Sequence, residues 1–117
     1  MSESVPGTVT IAPEVLVTVV RLATQDIPGV HAMSTDWTRD VNRFLGDTRV
    51  GDGVETHVQG ERVSVDLYVV VDPDANMLEL GRRIQGEVTR SIEELLGMQV
   101  QEINVHIEDV HYSLAES

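Results

Sequence analysis

Hydrophobic and polar positions alternate most legibly between residues 62 and 97. Val63, Val65, Leu67, Val69 and Val71 share one parity, and Arg62, Ser64 and Asp66 share the other, continued by Tyr68 and Val70. Period two predicts a strand over 62–72 with one apolar face and one half-apolar face, the pattern of an antiparallel sheet partly covered on its far side. Asp72-Pro73 then turns the chain. Asn76 and Glu79 have capping-box spacing ahead of a helix whose narrow stripe is Met77, Gly81, Ile84, Val88, Ile92 and Leu95, and Gly97 stops it. A glycine inside a helix costs about 1 kcal/mol against alanine, so Gly81 predicts a close backbone approach. Upstream, VETHVQ over 54–59 makes a hairpin with the long strand around Gly60 and Glu61. Downstream, Val100, Ile103, Val105 and Ile107 alternate with polar neighbours and predict a last strand.

The front of the chain reads as a short strand, TVTI at 8–11, followed by a helix over 14–26. Pro13 suits a first helical turn, where its missing N–H is not needed. Val15, Leu16, Val19, Val20, Ala23 and Ile27 form the apolar face, and Pro28-Gly29 ends the helix before a short strand over Val30–Met33. From 34 to 53 the clear period is lost, predicting a loop. Within it Trp37, Val41, Phe44 and Leu45 keep helical spacing between Asp36 and Gly46, enough for a two-turn helix that needs a surface to dock on. The order β-α-β-β-β-α-β predicts an α+β two-layer sandwich, with two main helices on one face of a mixed, mainly antiparallel sheet. Residues 1–117 read as one domain with a folded core over about 7–112.

Composition narrows the chemistry. Four aromatic residues, Trp37, Phe44, Tyr68 and Tyr112, leave the core to Val, Ile and Leu. The formal charge is −12 and all eight basic residues are arginine, a field that repels phosphate backbones. The absence of cysteine excludes disulfides, thiolate catalysis and Cys-based zinc sites. The first residues carry no secretory pattern, and no apolar run approaches the ~20 residues of a membrane span, which predicts a cytoplasmic protein without direct membrane insertion.

Candidate catalytic chemistry is sparse. Asp72, Asp74 and Asn76 open like a calcium loop, but Met77 and Arg83 occupy the positions needing glycine and glutamate, so a turn and helix cap is the better account. His106 and Glu108, with His111 nearby, are the best metal candidates and lack any specific ligand spacing. His31 and His57 are isolated in sequence. No catalytic residue, cofactor or metal is expected, and the chain reads as a non-enzyme. Two features suit binding. One is the cluster Trp37, Val41, Phe44 and Leu45, as partner contact or core lid. The other is the outer strand face at Tyr68 and Val70, as a self-association surface. The alternative reading is a small RNA-binding module, weighed down by the charge and the few aromatics.

Several segments in order resemble the alkaline shock protein twenty-three family of bacterial stress proteins. They are Gly7-Thr8-Val9-Thr10-Ile11 with Glu14-Val15, then Ile27-Pro28-Gly29-Val30, then Val65-Asp66-Leu67. The Asn76 to Gln85 helix with Val88, and Val100, Ile103-Asn104-Val105 and Ile107, complete a match over about residues 7–110. The resemblance implies a cytoplasmic, non-enzymatic protein tied to cell-envelope stress. Some members self-associate and some are held at the membrane by a separate anchor protein, so a homo-oligomer and a small membrane-anchor partner are the expectation here. It brings no catalytic residues and no nucleic-acid partner. Ala12-Pro13 departs from the family's serine-containing helix start, and 34–51 is more hydrophobic than its usual glycine-rich loop.

Overall fold

The computed structural model describes residues 5–34, 48–51 and 53–112, with the side chains of 48–51 excepted. Its elements are α1 (Pro13–Gln25), β1 (Val30–Met33), β2 (Thr48–Gly51), β3 (Val54–Gln59), β4 (Arg62–Val71), α2 (Met77–Ser91) and β5 (Gln99–Val110). A π-helical turn over Ile92–Leu96 extends α2. The α+β class, the mixed sheet and the two helices on one face follow the periodicity.

β4 is the organising strand because both its edges are used along their whole length. β5 runs parallel along one edge from Arg62↔Gln99 to Val71↔Val110. The other edge is divided, with β3 antiparallel over Val54↔Leu67 to Gln59↔Arg62 and β1 antiparallel over Val30↔Val71 to Met33↔Val69. β2 extends the sheet beyond β3. The inner face of β4, Val63, Val65, Leu67, Val69 and Val71, is fully buried under Leu16 and Val20 of α1 and Leu80, Ile84 and Val88 of α2. Each such side chain contributes ~1.5–3 kcal/mol on burial, so this layer dominates stability.

Several expectations are corrected. The strand at 8–11 does not form: residues 5–12 are exposed and carry no strand pairing. Four β-favouring residues make a strand only when an edge pairs with them; both edges of β4 are taken, and among the described residues the outer edge of β5 is not paired with this segment. The loop over 34–53 contains β2, which pairs with β3 in the register Gly51↔Val54. In the sequence, Asp52-Gly53 is a hairpin signal between the two strands. The two-turn helix expected around Trp37 and Phe44 lies outside the described residues.

The α2 stripe is also shifted. Leu80, Ile84, Val88 and Ile92 are buried, whereas Met77 is exposed and Leu95 is 71% exposed. The π turn inserts an extra residue per turn, so Leu96 packs on the core in place of Leu95. Gly81 meets no close backbone: a Cβ built there has nothing within 4 Å. The cap is as expected, with Asn76 Oδ1 accepting from Glu79 N at 3.0 Å, and Gly97 closes the helix at φ 68°. In α1 the buried residues are Leu16, Val20 and Thr24, with Val15 exposed. Thr24 satisfies its buried hydroxyl on Val20 O at 2.8 Å.

Candidate functional site

The face of the sheet opposite the helices presents the even-numbered residues of β4 with their neighbours. Asp66 pairs with Glu55 and Asn104, Tyr68 with His106, and Val70 with Ala32 and Asp109. Asp66, His106, Tyr68, Glu55 and His57 form one connected chain. The Tyr68 ring stacks on the His106 ring, with centroids 4.7 Å apart and planes 13° from parallel. His106 Nε2 lies 2.9 Å from Asp66 Oδ1, the Tyr68 hydroxyl donates to Glu55 Oε1 at 3.4 Å, and His57 Nε2 is 3.8 Å from Glu55 Oε2. Cross-strand neighbours on one face meet in this way because their Cβ atoms are only ~5 Å apart.

Tyr68 is only 8% exposed although it points away from the core. Val70 and Ala32 beside it are half-buried. The face therefore has an apolar centre ringed by Asp66, Glu55, His106 and Asp109, the anatomy of an interaction surface. Carboxylates on three strands make it a poor match for phosphate backbones.

Tyr68 also fastens the segment that carries the aromatic cluster. Its carbonyl accepts from Ser34 N at 2.7 Å and its N–H donates to Gly53 O at 2.9 Å. Residues 34 and 53 are the two roots of the predicted loop, so one residue of β4 holds both. Gly53 is required there: its φ is +80°, and a Cβ would stand 2.7 Å from Ser34 O and 3.0 Å from Tyr68 O. The structure thus brings Tyr68 and Val70 to the place where the loop departs. Trp37, Val41, Phe44 and Leu45 themselves lie outside the described residues. The polar chain through Glu55, Asp66 and His106 was not expected, and only the cross-strand register reveals it.

The metal candidates are dispersed. His106 faces Asp66, while His111 stacks on His31 with centroids 3.7 Å apart, and His31 Nδ1 is 3.8 Å from Asp72 Oδ1. The register of β5 slips between Ile107 and Asp109, breaking the alternation that would set Glu108 beside His106. Among the described residues, no group of three or more histidines and carboxylates is placed to hold a metal ion. Among them also, no helix is long and apolar enough to cross a membrane.

Two hollows lie away from this face. One of about 620 Å³ sits at the end of the domain between the N-terminal segment and the Gly60 and Gly97 turns. Another of about 530 Å³ runs between α2 and β5, lined by Met77, Leu78, Gly81, Arg82, Gln85, Val105 and Ile107.

Comparison with known proteins agrees with this architecture. The chain is 24% identical over 106 residues to the uncharacterized protein YqhY of Bacillus subtilis (strain 168), covering 91% of this chain and 78% of that protein. It is also 24% identical over 106 residues to YloU of the same organism, covering 89% and 88%. Among solved structures, the copper form of MamM CTD matches with a TM-score of 0.59 at 15% identity, covering 89% of this chain and 90% of that one. A zinc form of a MamM CTD variant matches at 0.52 with 14% identity over 85% and 87%. At such identities the likeness is one of fold, and the metals belong to those proteins. The model of the alkaline shock protein twenty-three family, described as having a cell envelope-related function, matches residues 1–112, and the chain therefore belongs to that family.

Proposed function

We propose that the protein is a non-enzymatic accessory of the cell envelope that associates with itself and docks to a membrane-anchored partner from the cytoplasmic side. The observation that carries this reading is the clamp at Tyr68, which holds both roots of the 34–53 segment beside a sheet face with an apolar centre. In this reading docking is through Trp37, Val41, Phe44 and Leu45, and self-association is around Val70. Family membership supports the envelope role. The connected His, Tyr and carboxylate groups support a surface held in fixed rotamers, since each polar group already satisfies another.

The test is cross-linking in living cells with the tagged full-length chain. Recovery of a small membrane protein that is lost with Trp37→Ala plus Phe44→Ala is the expected result. Recovery of RNA or ribosomal proteins in its place would overturn the reading in favour of an RNA-binding module. For self-association, Val70→Asp leaves the buried Tyr68 in place. Unchanged assembly of that variant by sedimentation would remove this face as the contact.

A further inference from the structure

The predicted strand at 8–11 and the groove beside β5 are complementary, and among the described residues neither the segment nor the edge of β5 that flanks the groove is paired with a strand. Val9 is 93% exposed, and residues 5–12 carry no strand pairing. Val9 and Ile11 share one parity while Thr8 and Thr10 share the other, so as a strand the segment would present one apolar and one polar face. Among the described residues β5 pairs with β4 alone, leaving its other edge open.

The open edge has a defined length. Bulges at Gln101 and Glu108 bound its regular part, and Gln85 Nε2 already donates to Ile103 O at 3.0 Å. What remains is 104–107, the length of Thr8–Ile11. The inner-face residues here, Val105 and Ile107, floor the 530 Å³ groove beneath α2. A strand added to this edge would place alternate side chains in that groove, beside Val105 and Ile107 and under Met77 and Leu78. Gly81 has open space where a Cβ would stand, which leaves room for them. Charge favours the same pairing. Residues 5–12 are uncharged in a chain of net charge −12, and the groove lining carries Arg82 and no carboxylate, so like charges do not oppose this contact.

We propose that the N-terminal segment around Thr8–Ile11 of a second copy adds as a strand to the free edge of β5, with Val9 and Ile11 seated in the groove between α2 and β5. The proposal rests on the self-association reading and assigns it a contact of its own at the sheet edge. Such a contact joins two different surfaces and is heterologous, so copies can add in series. It uses main-chain hydrogen bonds for affinity and the alternate side chains for specificity. It also covers an edge that would otherwise be an unpaired template.

The test compares full-length chains by analytical ultracentrifugation, with thermal melts confirming that each variant folds. The wild type should self-associate, and Val9→Asp plus Ile11→Asp should weaken assembly by about tenfold or more. Gly81→Phe, which fills the groove from the other side, should do the same. Mixing the two variants should restore a one-to-one complex that grows no further, because one supplies an intact segment and the other an intact groove. The chain has no cysteine, so Val9→Cys on one tagged copy and Val105→Cys on another should form a mixed disulfide under mild oxidation. Wild-type assembly that survives both sets of substitutions would overturn the strand-addition contact and leave self-association to the Val70 face. A wild-type chain that stays monomeric at all concentrations would overturn self-association itself and leave the groove to another occupant.

Discussion

The two faces of β4 differ in what holds them. Its inner face is five aliphatic side chains closed by two helices and fully removed from water. Its outer face is Asp66, Tyr68 and Val70, held by a ring stack, a histidine–carboxylate contact at 2.9 Å and a tyrosine–glutamate contact at 3.4 Å. The inner face depends on non-directional burial and the outer on directional contacts that are partly open to solvent. Stability should therefore reside in the first, while the second can change with little effect on the fold. That division lets a surface be specialised for partners.

The largest expected effect is on the inner side. Ile84→Ala leaves a cavity under the centre of α2 and should lower unfolding free energy by ~2–5 kcal/mol in a urea titration. Gly53→Ala strikes the seam where both faces meet, forcing a positive φ and a clash with the Ser34 and Tyr68 carbonyls. It should cost ~1–3 kcal/mol, and hydrogen exchange should show the loss concentrated at Ser34 and Tyr68. Thr56→Val tests the inner layer in the opposite direction. Thr56 is fully buried, its hydroxyl has no hydrogen-bond partner among the described residues, and valine has the same shape. Stability should rise by about 1 kcal/mol. Smallest is His106→Ala on the outer face, where one ring stack and one half-exposed contact with Asp66 are lost. It should change stability by less than ~1 kcal/mol, and a loss as large as that of Ile84→Ala would erase the contrast between the faces.

The candidate surface was legible only in part. Tyr68 and Val70 stand out because apolar residues interrupt a polar parity. Glu55 and His106 do not, since their meeting depends on which residues of β3 and β5 lie opposite β4. The metal reading of His106, Glu108 and His111 dissolves for the same reason: a bulge at Glu108 and a stack on His31 separate them.

By itself the sequence determined the elements whose information is local. Period two in 62–71 makes β4 and chooses its buried face. Helical spacing, Asn76 and Gly97 make and bound α2, and the short links at Gly60 and Pro28-Gly29 set the turns. Only tertiary structure decided the contest for the edges of β4. That strand accommodates β1 and β3 end to end on one edge, admits β5 in parallel on the other and leaves Thr8–Ile11 no place beside it, although its residues favour a strand as well as theirs do. The same contest pinned both roots of the 34–53 segment to Tyr68. The physical reason is that a residue's own neighbours fix its backbone preference and its face. A strand's hydrogen bonds, by contrast, must be met by a partner distant in sequence, and β4 has only two edges to give.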